Sequence, residues 1–263
     1  NQSAINFHNV YPEEWAKLNK EVLNECNNKD IIFFMRSSNL KSVKHTPLYW
    51  LGDQLVSWDN FDGLKTVLNG FLSSGISGHS LTHSDIGGYT QVPFIHIRSK
   101  ELLLRWIEIS TFGSAIFRTH IGSLLSKRNA QVFNDINTIM HFKKFINIFV
   151  KLKKYRNKLM LHAEKHGLPL MRPMAILDNN YWHIFNQYMF GSDFMICPIM
   201  SPKQYYINVF MPKNIVWVHL WSGTIINGND NYIRIKSIIG EPPIFYMINS
   251  TEGIKLNKYI IDI

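Results

Sequence analysis

The sequence predicts an α/β fold in two parts: about half of a β/α barrel or doubly wound sheet, then an antiparallel sheet or sandwich. Three observations carry this. Up to about residue 175, helical periodicities alternate with short apolar runs of strand character. Three of those runs are followed by polar residues, Arg36, Asp53 and Asp85, the placement that puts chemistry at strand C-termini in barrels. After Trp182 the helical period gives way to short β-like runs punctuated by Pro, Gly and Asn.

Taken in order, residues 11–27 read as a helix with Trp15, Leu18, Val22 and Leu23 on one face. Residues 31–35 form an apolar run ending at Arg36, and residues 48–51 another, ending at Gly52-Asp53. A helical stretch over 61–74 leads to a run over 78–83 that ends at Ser84-Asp85. Residues 99–110 and 137–166 read as helices, the second stopped by Gly167. Runs over 194–199, 205–210, 216–220, 232–235 and 244–247 then follow one another across Pro212, Gly223, Asn227-Gly228 and Pro242-Pro243. A whole barrel takes ~250 residues, and the first region offers about half of one. The change of regime falls near residues 175–185.

Composition excludes several classes. Hydrophobic residues make up 46% of the 263, and 7 Trp and 17 Phe supply a sizeable core, so the chain is globular rather than disordered. No apolar stretch approaches the ~20 residues of a membrane span. The net charge is +9, but its Lys and Arg crowd into 143–158, interleaved with Phe142, Phe145, Ile148, Phe149, Leu152 and Leu159. That pattern is an amphipathic helix with a solvated basic face, and no nucleic-acid-binding motif accompanies it. Two distant cysteines, Cys26 and Cys197, define neither a disulfide framework nor a metal site. The chain opens on Asn1 rather than Met and is expected to be a piece of a longer protein, so the lack of a leader assigns no compartment.

Two segments concentrate the chemistry. In Tyr49-Trp50-Leu51-Gly52-Asp53-Gln54, a carboxyl directly after an aromatic strand is partly desolvated, which raises a pKa towards that of a proton donor. In Ser84-Asp85-Ile86-Gly87-Gly88-Tyr89, a second carboxyl enters a glycine loop. A turn or helix-cap role is the alternative for Asp53, and a turn-stabilising role the alternative for Asp85. Read as a pair, they suggest the two carboxylates of a glycosidase. His79 and His83 stand four apart, but on a strand rather than a helix, so no metal site is expected. His120 fits a core histidine or a sugar ligand, and Arg172 a buried ion pair.

These segments, in their order, resemble glycoside hydrolase family 31. The carriers are Phe34-Met35-Arg36-Ser37, Trp50-Leu51-Gly52-Asp53-Gln54, Ser84-Asp85-Ile86-Gly87-Gly88, Arg118-Thr119-His120 and Gly167-Leu168-Pro169-Leu170-Met171-Arg172-Pro173. Gln187-Tyr188-Met189-Phe190-Gly191 and Trp217-Val218-His219-Leu220-Trp221-Ser222-Gly223 continue the likeness. Within the family, Trp15-Ala16-Lys17-Leu18-Asn19, Gln54, Gly88-Tyr89-Thr90 and the segment from Arg98 to Trp106 are most similar to the sulfoquinovosidase branch.

The resemblance implies the C-terminal half of a (β/α)8 TIM barrel over 1–178 and an all-β sandwich over 179–263. It implies a retaining α-glycoside hydrolase, without metal or cofactor, acting on a carbohydrate. Asp53 matches the general acid/base. Arg36, Trp50, Asp85 and His120 match residues lining the sugar subsite, with Gln54 beside them, so Asp85 becomes a binder rather than the nucleophile. Tyr89 matches a residue that helps hold the sulfonate of a sulfoquinovoside. The nucleophile and the rest of the sulfonate clamp belong to earlier strands, outside these residues, so the chain alone is expected to be inactive. One departure stands out: Ile121 follows Arg-Thr-His where the branch has an acidic residue. An α-glucosidase of the same family, or a sugar-binding protein without catalysis, is the alternative reading.

Overall fold

In the computed structural model, which describes residues 3–124 and 128–262, helices α1 (Ala4–Phe7) and α2 (Tyr11–Glu25) precede strand β1 (Phe34–Met35). Strand β2 (Leu48–Trp50), helix α3 (Leu64–Ile76), strand β3 (Leu81–His83) and helix α4 (Lys100–Gly113) follow. The three strands form one parallel sheet in sequence order, with Met35 opposite Tyr49 and Trp50 opposite His83. Beyond β3 the chain returns alongside it. Ala115 N donates to Thr82 O at 2.8 Å and Ile86 N to Arg118 O at 3.0 Å, so residues 115–119 run as a fourth extended segment. This is the barrel part, with the C-terminal ends of β2 and β3 and this segment opening on one side.

The long basic stretch is two helices, α5 (Ile136–Lys151) and α6 (Lys153–His166), meeting at Leu152. Its face is not wholly solvated. Lys143, Lys151, Lys153, Lys154 and Lys158 lie exposed. Arg156 is instead buried, donating to Phe149 O at 2.9 Å and Thr111 O at 2.5 Å with its guanidinium over the Phe149 ring. Helix position alone does not tell an outward cation from one that satisfies the carbonyls of a neighbouring helix.

Strand β4 (Met171–Pro173) leads into the second part, which is built on β5 (Tyr188–Phe190), β6 (Phe194–Ile196), β7 (Tyr206–Met211), β8 (Val216–His219), β9 (Ile225–Asn227), β10 (Asn231–Lys236) and β11 (Ile244–Met247). One antiparallel sheet runs β4-β5-β6-β11-β8-β9, and β7 pairs with β10 in a separate ribbon. Alternation along the strands divides two cores. Tyr188, Phe190, Phe194, Ile196, Ile244 and Tyr246 pack towards the helices, with Trp106, Phe112 and Phe145. Met189, Met195, Trp217 and Phe245 face the ribbon and meet Val209 and Met211. To the expected all-β sandwich the structure adds a terminal helix, α7 (Thr251–Ile261), capped by Ser250, whose Oγ accepts from Gly253 N at 2.9 Å.

Helix α2 forms where predicted, but its apolar face is not covered. Only Ala16 is buried on it, while Trp15, Leu18 and Val22 are each close to half exposed. Strand β1 is the sheet's edge, and its Phe34 is 40% exposed. Arg172 is buried but donates to Pro169 O and Ser192 Oγ rather than to a carboxylate. Among the described residues, no helix is long and apolar enough to cross a membrane.

Candidate active site

The strand C-termini converge on a cavity of about 260 Å³ lined by Phe34, Trp50, Asp53, Asp85, Tyr89, Arg118 and His120. Its size falls just below the ~300–1,000 Å³ usual for small-molecule sites. It adjoins a larger cleft of about 1050 Å³, which shares Phe34 and Trp50 and includes Arg36, Tyr11 and Trp15. The local reason is chain geometry. Strand β2 ends at Trp50, and Gly52 turns with φ +98°, a conformation a side chain resists. That turn places Asp53 at the rim, partly exposed, with its backbone carbonyl accepting from Thr90 Oγ1 at 2.6 Å.

Asp85 sits deeper, 1% exposed, with Arg118 Nη1 on its Oδ1 at 2.5 Å. Burial raises its pKa, and the Arg118 charge acts against that rise. The arginine itself is 41% exposed, so one end of the pair is held in the wall while the other reaches the cavity. His120 stacks edge-on against Tyr89, ring centroids 4.8 Å apart. Its Nδ1 accepts from Gly122 N at 3.0 Å, which in the neutral ring puts the proton on Nε2 as a donor. Behind the wall, His83 is fully buried, and burial lowers its pKa to about 4, so it stays neutral.

Five of the seven site residues read from the sequence thus line one cavity: Trp50, Asp53, Asp85, Tyr89 and His120. Arg36 lines the adjoining cleft instead. Gln54 lies beneath the cavity, buried. Its Nε2 donates to Leu51 O at 2.7 Å, and its backbone carbonyl accepts from Tyr89 N at 2.8 Å and Thr90 N at 2.9 Å. Phe34 and Arg118 also line the cavity, although neither was singled out from the sequence. Both lie within segments that carry the family resemblance, and a cation two residues before a candidate sugar-binding histidine was the available signal for Arg118.

The model of the glycosyl hydrolases family 31 TIM-barrel domain matches residues 1–160, and that of the family 31 C-terminal domain matches residues 167–250. The chain is 38% identical to the sulfoquinovosidase of Escherichia coli (strain K12) over 252 residues, covering 94% of this chain and 36% of that protein. To the sulfoquinovosidase of Agrobacterium fabrum it is 36% identical, covering 93% of this chain and 37% of that one. Among solved structures, a GH31 family sulfoquinovosidase from E. rectale, in complex with the aza-sugar inhibitor IFGSQ, superposes with a TM-score of 0.92 at 34% identity. That match covers 99% of this chain and 39% of the other. The chain therefore spans just over a third of the length of these two curated relatives. Matched over both its barrel and its sheet parts, the chain belongs to glycosyl hydrolase family 31.

Proposed function

We propose that this chain is the acid/base-bearing part of a retaining α-glycoside hydrolase that cleaves α-sulfoquinovosides. The observation that carries the reading is the cavity itself: two carboxylates at consecutive strand ends, one open at the rim and one locked to Arg118 in the wall. A retaining mechanism sets two carboxyl groups about 5–5.5 Å apart, one attacking the anomeric carbon and the other protonating the leaving oxygen. Asp53, free at the rim, is assigned the proton transfers: it donates to the glycosidic oxygen, then takes a proton from the incoming water. Asp85, held by the guanidinium, is assigned to sugar hydroxyls, with Trp50 and His120 Nε2 as further partners. Arg36 is assigned to the same subsite from the cleft side, and Gln54 to holding the loop that carries Tyr89.

The attacking carboxylate is assigned to residues outside these 263, so the chain alone is read as inactive. Tyr89 at the cavity and the two sulfoquinovosidase relatives support the choice of sugar. We place the division between the parts at 178/179, with β4 joining them: it pairs with β5, and α3 packs against it where Gly75 leaves room for Pro169. The test is hydrolysis of an aryl α-sulfoquinovoside and an aryl α-glucoside by the full-length protein. The reading expects the sulfoquinovoside to be preferred in kcat/KM. A preference for the glucoside would assign the protein to the α-glucosidases, and no hydrolysis of either would leave a sugar-binding role.

A further inference from the structure

We propose that Arg98 is a positioning residue that sets the two loops carrying Tyr89 and His120, and so the geometry of the sugar pocket. The inference rests on the glycosidase reading above. Arg98 stands outside the cavity and is 1% exposed. Its guanidinium lies where three loops meet. Nη1 donates to His120 O at 2.7 Å and Gly88 O at 3.4 Å, and Nη2 to Ile121 O at 3.3 Å and Gln131 Oε1 at 2.7 Å. Nε donates to Ala130 O at 2.8 Å. Two of those carbonyls belong to His120 and to the residue preceding Tyr89.

The surrounding chain is cut to fit this side chain. A Cβ on Gly87, where φ is +93°, would sit 2.8 Å from Arg98 Cδ and Nη1. The backbone of Arg98 is tied at both ends, its N–H to Asn129 Oδ1 at 3.0 Å and its carbonyl to Ala130 N at 2.9 Å. Among the described residues, every bonded acceptor is a carbonyl or amide oxygen, with no carboxylate among them. Burial accordingly lowers its pKa, to about 10. A buried cation without a counter-ion is a poor device for stability, since an apolar side chain of similar volume avoids the desolvation cost. What only arginine supplies is a rigid five-donor fork that fixes several carbonyls in one plane.

The test uses the full-length enzyme. Arg98→Ala is expected to lower kcat/KM on the aryl α-sulfoquinovoside by about 10²-fold, the order lost when reacting groups are misplaced by about an ångström. Millimolar guanidinium should restore part of that loss, while the same concentration of potassium should not. Amide hydrogen exchange should speed up at 87–91 and 118–124 and stay unchanged at 48–52. Should Arg98→Ala fail to accumulate folded, Arg98→Lys carries the same test, because an ammonium holds at most about three of the five bonds. A folded variant with kcat/KM within threefold of wild type and unchanged exchange in both loops would overturn the proposal. A wild-type enzyme inactive on both aryl glycosides would overturn the glycosidase reading instead, and the exchange data would still decide the role of Arg98.

Discussion

Replacing Arg105 by Met in the full-length protein should destabilise it sharply, and more so at pH 8 than at pH 5. Arg105 and Glu108, on one face of α4, form an ion pair at 2.8 Å with side chains only 2% and 3% exposed. The pair is also the joint between the two parts. Arg105 Nη2 donates to Ser237 O at 2.7 Å, Nη1 to Ile238 O at 3.2 Å, and Gly240 N donates to Glu108 Oε1 at 2.7 Å. Lys144 on α5 adds a bond to Gly240 O at 2.7 Å, and His141 lies 3.7 Å from Glu108 Oε1. Burial keeps that histidine neutral, its pKa lowered to about 4.

Removing one partner of a buried pair costs ~3–5 kcal/mol. With a urea slope of about 3 kcal/mol per molar, that is a midpoint drop of about 1–1.7 M. The pH dependence has a definite sign. Burial raises the pKa of Glu108, and the arginine charge opposes that rise, so Arg105→Met raises it further. The folded state then holds the proton more tightly than the unfolded state, and stability falls as pH rises through the folded pKa. Adding Glu108→Leu should recover most of the loss, because it removes the uncompensated charge. Urea transitions followed by circular dichroism at the two pH values read all of this. A penalty below about 1 kcal/mol, or one equal at both pH values, would refute the reasoning, since it would show that the pair is not desolvated.

Two further outcomes follow from the same structure. Arg118→Met removes the cation that opposes the burial-driven rise in the Asp85 pKa, so the acid limb of the kcat/KM profile should move to higher pH; an unmoved limb would separate Asp85 from substrate binding. The chain expressed by itself should bind hydrophobic dyes and unfold without a sharp transition, because the β1 edge and the α2 face carrying Trp15, Leu18 and Val22 are open; a cooperative, dye-free melt of the monomer would contradict this.

Much of the site was legible because strand ends announce themselves. An apolar run that stops at Gly52-Asp53 or Ser84-Asp85 fixes both where the strand ends and which side chain faces the cavity, and both aspartates line it. Arg118 was less visible, since its strand is a short extended segment held by single backbone bonds to Thr82 and Ile86 rather than by an apolar run. The burial of Arg98, Arg105 and Arg156 was not legible at all. Arg105 and Glu108 show helical spacing, but what covers them is the turn at 237–240, about 130 residues further along the chain. Helix α7 was hidden by Gly253, a poor helix former, which the fold requires because a Cβ there would collide with the Tyr246 ring. Strand β9 was missed for the opposite reason, being three residues long and largely exposed at the sheet edge.

The central claim, that Asp53 is the proton donor of a retaining glycosidase, is tested most directly by Asp53→Asn in the full-length protein. An alkyl α-glycoside, whose leaving oxygen needs a proton, and a dinitrophenyl α-glycoside, whose leaving group does not, would be compared on wild type and variant. The account predicts a loss of about 10²–10⁴-fold or more on the alkyl substrate. It also predicts that the activated substrate still reacts with the variant enzyme, releasing a burst of dinitrophenol. Normal turnover of the alkyl glycoside by the variant would contradict it.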